Sequence, residues 1–305
     1  MSPVAKRSRP RTGSAPYVLV APAVLLLVLF LLVPIGYTVW LSLRASRVTD
    51  GGIGPRVEVF TGLGNYLSVL TDPGYVSGLL RMLGYGAIVV PIMLGLALVF
   101  ALLLDVPRVR FGRFSRIGIF LPYAVPGVIA SLLWGFLYLP GVSPIRDVAS
   151  AFGLPPPDLL GPHTVLLSVA NIGVWGGVGF NMIILYTALR GVPREMYDAA
   201  RIDGASEIQI AWRIKIPLIA PAVVMTAIFA IIATLQVFSE PATLQPLSDS
   251  ISSTWVPLMA IYRDAFVNSD IHSAAAASVV LALGTLVVSA TVLTTLQRRA
   301  YGRDR

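Results

Sequence analysis

Six stretches of about 20 or more largely apolar residues run through this chain, at 17–43, 78–104, 117–139, 164–189, 218–238 and 273–296. Each is long enough to cross a hydrocarbon layer of roughly 30 Å as a helix rising about 1.5 Å per residue. A bilayer offers the backbone no hydrogen-bonding partners, so such segments satisfy their N–H and C=O groups internally. The expected fold is therefore an all-α integral membrane protein of six transmembrane helices. Composition agrees: 56% of the 305 residues are hydrophobic, 12% are charged, and the mean hydropathy is +0.79, more apolar surface than one soluble core could bury.

The basic residues sort by side. Lys6, Arg7, Arg9 and Arg11 precede the first span, and Arg108, Arg110, Arg113 and Arg116 lie in the loop 105–116. Arg190, Arg194, Arg201, Arg213 and Lys215 follow the fourth span, and Arg298, Arg299, Arg303 and Arg305 close the chain. All these groups fall on one side of a six-span chain and hold most of its 23 basic residues. The positive-inside rule makes that side cytoplasmic, with both termini inside. The net charge of +8 thus belongs to membrane flanks and does not mark a nucleic-acid surface. The run from Tyr17 to Leu43 exceeds the apolar region of about 7 to 15 residues in a cleaved secretion signal, so an uncleaved anchor is expected. The chain divides into a basic tail (1–16), a first span with its outward loop (17–76), a five-span core (77–296) enclosing a polar loop (190–217), and a second basic tail (297–305).

The polar loop is the most distinctive segment. Pro193 suits the first position of a helix, and Gly204 suits the left-handed residue just beyond its end. Ser206 with Gln209 three residues on forms a capping box, predicting a second helix that runs toward Lys215. Pro217 then opens the next membrane helix. Ala199 and Ala200 would let another surface approach closely, while Met196, Tyr197 and Ile202 add apolar area that is costly to leave in water.

The spacing of an acidic residue, Asp198, followed by Ala199-Ala200, Gly204, Ile214 and Pro217 resembles the cytoplasmic signature of the membrane subunits of binding-protein-dependent ABC importers. Asp198 stands where that family usually has Glu, and Ile216 where it usually has Leu. The stretch Phe60-Thr61-Gly62-Leu63-Gly64-Asn65-Tyr66 is similar to the subunit type of sugar and glycerol-phosphate importers, such as the maltose-type first permease subunit. Here Gly62 and Gly64 would form a tight turn and Asn65 would cap a short helix. The resemblance implies a loop gripped by a separate ATPase, with Glu195, Asp198, Ala199, Ala200, Asp203, Gly204, Ala205, Ile214 and Pro217 at the coupling surface. It also implies a dimer of ATPase subunits, a second related permease subunit, an external solute-binding protein docking on the outward loops 140–163 and 239–272, and a sugar or polyol as cargo in a bacterial-type cell membrane.

What the chain lacks narrows its chemistry. No G-x-x-x-x-G-K-[ST] loop is present, and Lys6 and Lys215 are the sole lysines, so ATP hydrolysis falls to a partner chain and the protein is not expected to be an enzyme. Ion-coupled carriers place carboxylates near the midplane, whereas Asp105 and Glu240 are expected at span ends. His163 and His272 are isolated and lack a metal-ligand spacing, and there is no cysteine; no cofactor is expected. A solute path still needs polar and aromatic groups. Asn171 and Trp175 lie four residues apart on one face of the fourth span, with Asn181 about 80° away and Gly173-x-x-x-Gly177 allowing close approach. Tyr123 and Gln236 are further candidates. A stand-alone secondary transporter or channel, and a scaffold that carries no solute, are the alternative readings.

Overall fold

The computed structural model describes residues 15–48, 56–106 and 111–301. Lys6, Arg7, Arg9, Arg11, Arg108, Arg110, Arg303 and Arg305 lie outside the described residues. Helix α1 (Tyr17–Ser42) bears its apolar side chains outward along most of its length, as a lipid-facing helix does. Its C-terminal third packs on the last helix. A hairpin of β1 (Arg44–Val48) and β2 (Arg56–Phe60) follows, antiparallel with Arg44 opposite Phe60, a small sheet in an otherwise helical chain.

Gly62 does adopt a left-handed conformation (φ +58), and α2 (Gly64–Thr71) starts beside it. Asn65 does not cap this helix, because it lies inside it. Its Nδ2 donates instead to the carbonyls of Ser42 (2.9 Å) and Arg44 (2.6 Å). Those carbonyls are left without helical partners where α1 ends, so the Gly-Asn-Tyr segment closes the exit of the first span. Tyr66 adds a 2.6 Å hydroxyl contact to Ser42.

Asp72 caps α3 (Pro73–Leu104) by accepting from Gly74 N at 2.7 Å, with Pro73 in the first turn, where its missing N–H costs nothing. The third apolar run, expected as one span over 117–139 with Pro122 and Pro126 inside it, is not one continuous helix. It breaks into α4 (Gly112–Phe120), a 3₁₀ turn (Leu121–Ala124) and α5 (Gly127–Tyr138), with a 97° bend. Pro126 forces Val125 into an extended conformation, and neither Pro122 nor Pro126 supplies an N–H to continue the ladder. After α6 (Pro144–Ala151) come α7 (Val165–Arg190), α8 (Arg194–Ile202) and α9 (Glu207–Ile210). Next are α10 (Ala220–Thr234), α11 (Ser239–Leu244), α12 (Pro257–Tyr262) and α13 (Ile271–Tyr301). Among the described residues five segments are long and apolar enough to cross a membrane, and the bent pair α4–α5, taken as one span, makes a sixth.

The core is a seam between α3 and α7. Tyr85, Val89, Met93, Ala97 and Ala101 form a ridge at every fourth residue of α3, and Val169, Gly173, Gly177, Asn181, Leu185 and Leu189 form one on α7. A Cβ at Gly173 would run into the Tyr85 hydroxyl, and one at Gly177 into Met93 Sδ. At Gly179 a Cβ would overlap the Ile119 carbonyl and lie 2.7 Å from Phe120 Cα, so α4 touches backbone to backbone there. The segment 239–272, expected as an outward loop, instead inserts into the bundle: Leu244, Ile251, Trp255, Val256 and Met259 are buried in the main core.

Gly179→Ala should lower stability by about 1–3 kcal/mol, since the obstruction is backbone that cannot turn aside. Gly176→Ala, with nothing within 4 Å of its added Cβ, should fall within about 0.5 kcal/mol of the parent. Unfolding titrations in mixed detergent micelles compare the two.

Candidate functional site

Two places concentrate chemistry. The first is the polar loop. Helix α8 begins at Arg194, so Pro193 is its N-cap and not its first helical residue. It ends in a left-handed Gly204 (φ +83), with Gly204 N donating to Arg201 O (3.0 Å) and Ala205 N to Ala200 O (2.9 Å). These two bonds are a Schellman motif, which is why a glycine is needed at that position. The capping box forms as expected: Ser206 Oγ accepts from Gln209 N, and Ser206 N donates to Gln209 Oε1 at 2.8 Å. Beyond α9 a π-helical turn (Ala211–Lys215) and a short helix (Ile216–Leu218) lead into α10, so Pro217 lies just ahead of the membrane helix and not at its start.

Arg201 clamps the two helices, contacting Asp198 at 2.7 Å and Glu207 at 2.8 Å. Its hydrogen bond holds the Glu207 carboxyl below the usual glutamate range. Asp198 thus has a partner within its own loop. Glu195, Ala199, Asp203, Gly204 and Pro217 are exposed, while Ala200, Ala205 and Ile214 are half-buried. Asp203, Gly204, Ala205, Gln209, Arg213 and Ile214 line a shallow cleft of about 280 Å³. Met196 and Ile202 are exposed as expected, but Tyr197 is not available to a partner, being turned inward. Burial, then the nearby Asp105, push its hydroxyl above the ordinary tyrosine range.

Beneath Tyr197 lies a buried ion pair. Lys215 Nζ meets Asp105 Oδ2 at 2.6 Å, with side chains only 5% and 6% exposed, and sits 4.9 Å from the Tyr197 ring centroid. Lys215, counted among the basic flanking residues, thus fastens the polar loop to the end of α3. Sequence reading noted Asp105 only as a span-end charge. It also passed over Ile208 and Trp212, which are 72% and 69% exposed; their four-residue spacing in a polar loop was the available signal.

The second place is a cavity of about 370 Å³ inside the bundle. Of the sequence-chosen path residues it gathers Tyr123, Asn181 and Gln236. Tyr123 stacks on Phe180, also in the wall, at 4.7 Å and 18°. Asn181 Nδ2 donates to Gly177 O (2.9 Å), leaving its buried Oδ1 without a partner among the described residues. Asn171 and Trp175 do not line this cavity. Asn171 donates to the Tyr138 hydroxyl (2.9 Å), and Trp175 packs edge-on against Trp134 at 5.9 Å. The wall also holds Tyr85, Met93, Phe229 and Glu240, which the sequence reading did not select. Glu240 is not at a span end: it faces the cavity beside residues from the middle of α3 and α7, because the chain turns inward after Gln236.

The family profile described as "Binding-protein-dependent transport system inner membrane component" matches residues 88–303. The chain belongs to that family. It is a membrane-embedded permease subunit of a binding-protein-dependent ABC importer, a multi-pass protein of the cell membrane. Its relatives include the sn-glycerol-3-phosphate transport system permease protein UgpA of Escherichia coli O157:H7. That protein is 32% identical over 288 residues, covering 92% of this chain and 94% of the relative. UgpA of Salmonella typhimurium matches at the same identity and coverage. Among solved structures, the fold resembles a chain of a bacterial ABC transporter involved in the import of the acidic polysaccharide alginate. There the TM-score is 0.77 at 19% identity, covering 93% of this chain and 95% of the other. A second structure of the alginate transporter, in complex with an alginate pentasaccharide-bound periplasmic protein, gives a TM-score of 0.78 at 19% identity, covering 93% and 94%.

Asp105→Asn should strand the Lys215 ammonium in a buried site and cost about 3–5 kcal/mol, whereas Asp105→Leu combined with Lys215→Met should recover most of that loss. The midpoint of thermal aggregation, followed by fluorescence size-exclusion chromatography, reads both.

Proposed function

We propose that this subunit pairs with a second, related permease, binds a dimer of ATPase subunits at residues 193–217 and receives a sugar or related polyol from an external solute-binding protein. ATP-driven closure of the ATPases presses on α8 and α9, and the bundle passes from inward to outward access. The observation that carries the ATPase contact is the exposed apolar set Met196, Ile202, Ile208 and Trp212 on a loop otherwise rich in charge. Arg194, Glu195, Asp198 and Arg201 make that loop too polar for lipid, so its apolar side chains need a protein partner. The cargo assignment is supported by the glycerol-phosphate permeases at 32% identity, whose named cargo is a polyol derivative. Tyr123, Asn181, Gln236 and Glu240 offer the polar and stacking groups of the path, while Asn171 and Trp175 serve packing between helices.

Trp212→Asp should weaken co-purification of the ATPase by at least about tenfold, the loss typical of a central interface aromatic, while the protein remains in the membrane. Gly204→Val, which strains the left-handed turn, and Asp198→Lys, which breaks the Arg201 clamp, should both lower solute-stimulated ATP hydrolysis. Normal hydrolysis in all three variants removes the loop from the ATPase contact. Both termini are cytoplasmic in this reading. Fusions of a reporter active only outside the cytoplasm, at Met1 and at Arg305, should therefore be silent.

A further inference from the structure

Among the described residues lining the cavity, Glu240 is the one formally charged group, and no Lys, Arg or His stands in the wall. Among the described residues no other side chain bonds or pairs with the Glu240 carboxylate, which receives the N–H of its own backbone. A second acceptor, Asn181 Oδ1, is buried in the same wall without a donor, its amide nitrogen already spent on Gly177 O. A buried acceptor without a donor is costly, and Asn181 Oδ1 is one, while the half-buried Glu240 carboxylate, which receives only a backbone N–H, keeps lone pairs open to the cavity. Around them stand Tyr85, Tyr123, Phe180, Phe229 and Phe238, flat apolar faces of the kind that cover the less polar side of a ring.

We propose that Glu240 and Asn181 make this cavity a site for an uncharged, hydroxyl-rich solute, taken up by its O–H donors, and that the same wall rejects phosphorylated or carboxylated cargo. The inference rests on the importer reading and adds to it the charge class of the cargo. A polyol or neutral sugar brings several donors to unfilled acceptors and an apolar ring face to the aromatics. An anionic solute brings further acceptors and a negative charge against a wall in which Glu240 has no cation to offset it, and beside protein that repulsion is stronger than in water. This separates the chain from its glycerol-phosphate relatives in cargo while leaving it with them in fold.

The test uses cells carrying the complete transporter, supplied with radiolabelled matched pairs: glycerol and sn-glycerol 3-phosphate, glucose and glucose 6-phosphate, together with a pool of neutral di- to tetrasaccharides. The expected result is ATP-dependent uptake of a neutral probe, with no uptake of its phosphorylated counterpart. Glu240→Gln, which keeps the shape but removes the charged acceptor, should reduce that uptake by about tenfold or more with the complex still assembled. Asn181→Leu should reduce it as well, and Gln236→Ala, which removes neither acceptor, should reduce it less. ATP-dependent uptake of a phosphorylated probe, or unchanged neutral uptake in Glu240→Gln, overturns the inference and leaves the importer reading standing. Absence of ATP-dependent uptake of every probe overturns both.

Discussion

The close approach of α3 and α7 is the contact on which the rest of the bundle depends. Two ridges of four-residue spacing meet along most of α7 and the C-terminal part of α3, and the glycines of α7 are what allow it. In lipid there is no hydrophobic gain in pressing one apolar helix on another, so association has to come from fit and dispersion, which need backbones near one another. Tyr85 and Met93 fill the spaces left by Gly173 and Gly177 and at the same time form part of the cavity wall. Packing and path are therefore built from the same side chains. A change at this seam alters the shape of the cavity as well as the stability of the fold.

The seam also determines what a push on the polar loop can reach. Asp105 terminates α3, Leu189 lies in the last turn of α7, and Lys215 lies between the loop and α10. The buried ion pair joins the first and third of these directly. Because both side chains are almost fully shielded from water, losing one partner strands the other, and the pair resists separation more than a surface bridge does. In the proposed importer cycle, a displacement of α8 and α9 would act through this pair on α3, which carries Tyr85, Val89 and Met93 of the cavity wall.

Much of this was legible in the sequence because local chemistry decided it. The apolar runs located the spans, and Ser206 with Gln209, like Gly204, declared a helix start and a helix end that formed as read. The failures share a different cause. Pro122 and Pro126 mark bends within a membrane segment, but the sequence did not show how large the bend is, here 97°. The polar character of 239–272 suggested an outward loop, whereas its scattered Leu244, Ile251 and Trp255 find a core only once the bundle exists to receive them. Glu240 was misplaced for the same reason, since its depth depends on that inward turn. Asn65 was given a local role, yet its partners are 21 and 23 residues away in sequence. Asn171 and Trp175 share a face as periodicity required, but which neighbour that face meets was a tertiary fact.

The π-helical turn at Ala211–Lys215 carries a consequence of phase. Ile210 and Lys215 are both buried, five residues apart, and a turn closed by i→i+5 bonds brings such residues to one face. In regular α geometry the same two positions would diverge by about 140°. Rewinding this turn by a single residue would swing the ammonium out from under Tyr197 and off Asp105 while Ile210 stayed in place. The winding of five residues and the integrity of the ion pair are therefore one coordinate, and twist in the loop is converted into attachment or release of α3.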